Sequence, residues 1–132
     1  MARLFVAAAA LALAGCASAP PGTPDVSVTS TDRGREMVLT TGQRLVVSLA
    51  ANPTTGYQWT VTDGAEAVLA SVGEHVYTQD AAAPGMVGVG GTDVWTFTAT
   101  QPGRGTLRLA YGRSFEPGEA PAETFEVPVT VR

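Results

Sequence analysis

Residues 51–62 read Ala51-Asn52-Pro53-Thr54-Thr55-Gly56-Tyr57-Gln58-Trp59-Thr60-Val61-Thr62, and the two halves of this stretch obey different rules. From Tyr57 onward, Tyr57, Trp59 and Val61 alternate with Gln58, Thr60 and Thr62. That is the period-two pattern of a strand with one buried face. The half before it cannot be a strand. Pro53 locks its own φ and biases Asn52 toward extended geometry. The Asn52 side chain can bond backbone groups two residues on. Gly56 can take a positive φ where the chain re-enters a strand, and Thr54 and Thr55 are stiff at χ1. The segment predicts a pre-shaped loop with two hydroxyls at its tip. Its local chemistry serves a turn stiffened for stability as well as a turn built to bind.

The alternation of 57–62 recurs along the chain. Leu45, Val47 and Leu49 form the apolar set of residues 43–49, and Trp95, Phe97 and Ala99 that of 92–100. Residues 105–111 carry Leu107, Leu109 and Tyr111, and residues 124–132 carry Phe125, Val127, Val129 and Val131. Shorter runs at 36–40, 68–72 and 75–78 add two or three strands. Turn signals at Thr41-Gly42, Asn52-Pro53, Asp63-Gly64, Gln101-Pro102-Gly103 and Glu116-Pro117-Gly118 separate the runs. Only residues 64–69 could form a helical turn. The fold class is therefore all-β: an antiparallel sandwich of seven to eight strands. Pro128 cannot donate to a ladder and is expected on an edge or at a bulge.

The chain has 132 residues, room for one domain. Met1-Ala2-Arg3 precedes an apolar run over residues 4–14 that is too short to span a bilayer, which reads as a signal peptide over 1–15. The run ends Leu13-Ala14-Gly15-Cys16, which resembles the bacterial lipobox. That resemblance implies a lipid on Cys16, and Ala17 after it implies outer-membrane sorting in a Gram-negative envelope. The competing reading is an ordinary signal cut after Ala17 or Ala19. Cys16 is the only cysteine, so the folded part has neither a disulfide nor a thiol nucleophile. Residues 16–33, rich in Pro and small residues at their start, read as a tether. Residues 34–132 then form the domain, about 100 residues, enough for a self-sufficient core. The eight basic residues are all Arg, against twelve acids, and no basic cluster argues for nucleic acid. No cofactor or metal is implied, and the expected oligomeric state is a monomer.

Two further segments depart from strand-and-turn grammar. Residues 84–91 carry Gly85, Gly88, Gly90 and Gly91, which permit positive φ or the close approach of another backbone. A phosphate cradle fails there, because no helix start follows and the chain has no Lys. A plain mobile linker remains open. Residues 111–117 place Arg113 and Phe115 at a loop tip, either as interface anchors or as a solvated Arg beside a Phe folded onto the core. With strands alternating in direction, the loops before Tyr57, before Thr92 and after Tyr111 share one end of the sandwich.

Together these segments resemble the chagasin-like inhibitors of papain-type cysteine peptidases. That family carries Asn-Pro-Thr-Thr-Gly-Tyr/Phe, then Gly-x-Gly-Gly, then Arg-Pro-Trp after a Tyr-x. Here the first is complete as Asn52-Pro53-Thr54-Thr55-Gly56-Tyr57, and the second is complete as Gly88-Val89-Gly90-Gly91. The third reads Arg113-Ser114-Phe115 after Tyr111-Gly112, so Ser and Phe stand where the family has Pro and Trp. The resemblance covers residues 36–131. It implies an immunoglobulin-like sandwich whose three loops block a peptidase cleft reversibly and without a covalent bond. The peptidase-binding residues would be these thirteen, and the partner a papain-like cysteine peptidase. An enzyme is not expected, since His75, the one histidine, shows no partner in the sequence. The alternative is an envelope-anchored binding or adhesion lipoprotein with a non-peptidase partner.

Overall fold

The alternating runs become strands because each has one apolar side to bury, and two such sheets laid face to face bury both. The computed structural model describes residues 23–81, 85, 88–113, 118 and 120–132. Among them are nine strands: β1 (Val26–Thr29), β2 (Met37–Leu39), β3 (Arg44–Ala51), β4 (Tyr57–Gly64), β5 (Leu69–Ser71), β6 (Val76–Gln79), β7 (Gly91–Ala99), β8 (Gly103–Arg113) and β9 (Glu123–Val131). One sheet runs β1-β3-β7, with β5 and β6 both on the far side of β7. The other runs β2-β9-β8-β4. The fold is the β-sandwich that the alternation predicts, and two short 3-10 helices, Ser30–Asp32 and Pro53–Thr55, are described where the sequence reading allowed a helical turn only at 64–69.

Most of the predicted inward residues fill the core, while Tyr57, Val61, Trp95 and Tyr111 are half-buried. Leu45, Val47 and Leu49 of β3, Phe97 and Ala99 of β7, and Trp59 of β4 are buried. So are Leu107 and Leu109 of β8, and Phe125, Val127, Val129 and Val131 of β9. Fully burying one such large side chain contributes about 1.5–3 kcal/mol, so this set dominates the stability of a domain that has no described cross-link. The helical turn expected near 64–69 is present: Ala65 O accepts from the N–H groups of Val68 and Leu69, both at 2.9 Å.

The structure also departs from the sequence reading in the strands and their partners. Residues 26–29, assigned above to the tether, form β1, and Val28 is buried within the core. That raises the strand number from seven or eight to nine. The sandwich is not wholly antiparallel either, because β1 pairs with β3 and β2 with β9 in parallel. Pro128 lies on β9, an interior strand. It sits just ahead of the β2 ladder, which begins at Met37 opposite Val129. The side of β9 turned from β8 is open to Pro there: the Glu126 carbonyl, two residues back and on that same side, accepts from Gly34 N–H at 2.7 Å. Finally, His75 does have an acidic partner, described below. Residues 1–22, with the apolar run and Cys16, and Ser114 and Phe115 of the third motif lie outside the described residues.

Candidate functional site

The site begins with a change of sheet. β3 lies in one sheet and β4 in the other, so residues 52–56 must cross the edge of the sandwich. On the first sheet Ala51 pairs with Gly91, where β7 starts. On the second, Tyr57 pairs with Arg113, where β8 ends. A crossing loop so short forces the other two segments to stand on either side of it. The three segments expected at one end of the sandwich therefore meet there. The cause is that strand register, not a simple alternation of strand directions.

The crossing loop is held from within. Pro53–Thr55 is one 3-10 turn with Asn52 before it and Gly56, at φ 82°, after it. Asn52 Oδ1 accepts from Thr54 N–H at 3.3 Å and from Thr54 Oγ1 at 2.5 Å. The Asn52 carbonyl accepts from Thr55 N–H at 3.1 Å and from Thr55 Oγ1 at 2.6 Å. Gly56 N–H donates to Pro53 O at 3.0 Å, and its left-handed φ suits glycine. The sequence suggested two hydroxyls offered at the tip. Instead both hydroxyl protons point back into the turn. Pro53, Thr54 and Thr55 are exposed, but what they present is a closed, internally bonded wedge.

Asn52 also ties the wedge to both neighbours. Its Nδ2 donates to the Gly88 carbonyl at 2.9 Å, and its backbone N–H donates to the Tyr111 hydroxyl at 2.9 Å. Tyr111 in turn stands in an aromatic column. Its ring centroid is 5.0 Å from Trp59 and 5.3 Å from Tyr57, and the Arg113 guanidinium lies 4.5 Å over the Tyr57 ring. Aromatic pairs at this spacing add about 0.5–1.5 kcal/mol beyond the area they bury. At the foot of the column Trp59 Nε1 donates to Ala50 O at 3.0 Å, which bonds one sheet to the other directly beneath the loop.

The glycine segment is fixed differently. Gly88 has φ 71° and open space where a Cβ would project. Gly90 lies against the wedge, where a Cβ would come within 3.1 Å of the Ala51 carbonyl oxygen. At Gly91 a Cβ would collide with the Thr78 carbonyl oxygen and lie 2.8 Å from both Gln79 Cα and the Tyr77 hydroxyl. The close backbone approach inferred from the glycines is thus, at Gly91, an approach within this chain. The carbonyls are occupied as well. Gly88 O accepts from Asn52, Val89 O from Gln79 Nε2 at 3.4 Å, and Gly90 O from Asp80 N–H at 3.0 Å.

Two residues at this pole were not among the candidates. Tyr111 was visible only as part of a motif, and nothing local signals that its hydroxyl would reach Asn52. Asp93 carried a clearer signal, being a carboxylate at an inward position of β7. It is 3% exposed, and a buried carboxylate requires partners. His75 Nδ1 lies 2.6 Å from Asp93 Oδ1, and Trp95 Nε1 donates to Asp93 Oδ2 at 3.2 Å. The His75 and Trp95 rings stack at 4.3 Å and 6°. This clamp fastens the start of β6 to β7, two residues beyond Gly91. Among the described residues no three His, Cys, Asp or Glu side chains gather as a metal site.

Comparison with known proteins agrees with this geometry. Over residues 38–129 the chain matches the model of the chagasin family of peptidase inhibitors. It is 35% identical over 107 residues to Amoebiasin-1 of Entamoeba histolytica, covering 81% of this chain and all of that protein. Among solved structures it is similar to Amebosin, with a TM-score of 0.67 and 32% identity over 83% of this chain and 99% of that one. It also shares the fold of the cysteine protease inhibitor EhICP2 from Entamoeba histolytica, with a TM-score of 0.72 and 20% identity over 81% of this chain and 95% of that one. With its first two loop motifs complete and both set at one pole of the sandwich, the chain belongs to the chagasin family of peptidase inhibitors.

Proposed function

We propose that this protein is a reversible, competitive, non-covalent inhibitor of papain-type cysteine peptidases that seats residues 52–56 in the active-site cleft. Gly88, Val89, Gly90 and Gly91 flank the wedge on one side and Arg113 on the other, and Ser114 and Phe115, next in the chain after Arg113, would complete the third contact segment. One observation carries the reading: Asn52 closes the wedge internally and bonds the segments on both sides. A loop whose ordering is complete before binding loses little entropy on entering a cleft. The same bonds explain resistance to cleavage. The Asn52 and Pro53 carbonyls already accept within a helical turn. An extended peptide with a free carbonyl above the thiolate is what attack requires. An interface of standard size, about 1,600 Å², is compatible with nanomolar affinity, about −12 kcal/mol.

The leading segment supports an envelope location. A signal-like run ending in a lipobox-like Leu13-Ala14-Gly15-Cys16 supports a lipid anchor at Cys16, with the folded part as a monomer beyond it. Cys16→Ser should move the protein from the membrane fraction to the soluble one.

The inhibitory reading is tested by titrating the chain from Ala17 onward into papain with a fluorogenic peptide. The expected result is an apparent inhibition constant that rises linearly with substrate, and loss of inhibition for Thr55→Trp. Absence of inhibition of papain, of a cathepsin L-like enzyme and of a cathepsin B-like enzyme would overturn it in favour of a non-peptidase partner.

A further inference from the structure

We infer that the sandwich is held by the pole opposite its three loops, so that the anchored chain turns the wedge away from the bilayer and takes soluble peptidases arriving from the aqueous side. This deepens the proposal above and rests on its reading of Cys16 and of the loops. Its basis is the path of β1. That strand runs parallel to β3 with Val26 opposite Leu45, at the start of β3, whereas the wedge follows the end of β3 at Ala51. Gln43 Nε2 bonds the Pro24 carbonyl at 2.9 Å. Gln43 itself belongs to the turn at the far pole, where Thr41 N–H donates to Arg132 O at 3.0 Å and Gly42 N–H to Ala99 O at 2.7 Å.

From Leu45 to Ala51 a strand rises about 20 Å at ~3.3 Å per residue. The leading segment therefore meets the fold about that far from the base of the wedge, at the opposite pole. Burial of Val28 fixes this direction, since releasing β1 would expose core. Residues 16–22, fully extended, reach at most about 25 Å. A lipid on Cys16 thus holds the sandwich through its far pole, with the body of the sandwich between the attachment point and the wedge. A peptidase seated on the loops docks at the end of the domain away from the attachment point. A tether leaving the loop pole would put the lipid surface where the peptidase has to sit.

The test uses the chain from Cys16 onward, whose one thiol is Cys16. It is coupled to a maleimide headgroup lipid in phosphatidylcholine vesicles that also carry a dansyl headgroup lipid. A second protein, Cys16→Ser with Ala120→Cys, is coupled the same way through the segment joining β8 to β9. Two readouts are taken. For papain inhibition, the Cys16-coupled chain should match the uncoupled chain within about threefold, and the Ala120→Cys form should be at least tenfold weaker. For energy transfer from tryptophan to dansyl, which needs no peptidase, the Ala120→Cys form should transfer more, because Trp59 lies beneath the wedge. Equal transfer from the two forms, or equal loss of inhibition, would overturn the inference. If the uncoupled chain fails to inhibit papain, the functional proposal falls, and the transfer measurement still decides the orientation.

Discussion

The wedge at residues 52–56 and the glycine segment at 88–91 stand side by side, yet they are fixed by opposite means. The wedge is exposed and is held by side chains: one amide and two hydroxyls close it onto Asn52. The glycine segment is held by lack of side chains, with Gly91 pressed so closely on β6 that no Cβ fits. The first kind of rigidity travels with the loop and survives at a tip with little packing around it. The second depends on a neighbouring strand and stops where that strand stops. Asn52 joins the two, since its Nδ2 bond to Gly88 O makes the self-held loop a support for the strand-held one.

The contrast can be broken from either side. The largest effect is expected from Gly91→Ala. Its Cβ would push into the backbone at Thr78, and such overpacking costs about 1–3 kcal/mol or more; a loss of about 3 kcal/mol in denaturant unfolding is expected. Asn52→Ala removes acceptor and donor together. Inhibition should weaken by about 2 kcal/mol, roughly thirtyfold, while global stability falls by less, since the wedge lies outside the core. Equal losses in both would mean that Asn52 is only a structural brace. Gly88→Ala has free space but a positive φ, which costs about 1 kcal/mol. Its cost should stay well below that of Gly91→Ala, and an equal cost would show that backbone strain governs the segment. Tyr111→Phe keeps the ring column and removes the acceptor of the Asn52 N–H. It should cost about 1 kcal/mol in inhibition with little change in melting temperature. Thr55→Val keeps shape and loses one internal bond, and a change of about 0.5 kcal/mol is expected.

The aromatic column shows where reading the sequence was sufficient and where it failed. Tyr57 and Trp59 declared themselves as inward residues of β4, and Trp59 is buried as expected. Leu107, Leu109, Phe125 and Val127 did the same, because a two-residue period is written locally. β1 was missed because Val26-Ser27-Val28-Thr29 is four residues long, follows a Pro-rich stretch and pairs with β3 in parallel. Its alternation is a strand signal, but a minimal one, and the Pro-rich stretch beside it outweighed it. The partner of His75 was missed because Asp93 lies 18 residues away, on the adjacent strand.

By its own residues the sequence determined the strand class, the inward face of each long strand and the shape of the 52–56 turn. Each depends on contacts within a few positions: alternation along a strand, an Asn bonding two and three residues on, a Gly tolerating positive φ. Only the tertiary structure decided that Ala51 would stand beside Gly91 and Tyr57 beside Arg113, and that the chain would join the sandwich at the other pole. Those facts come from register between strands far apart in the chain, set by how two sheets bury their apolar faces against each other. No local pattern carries that information.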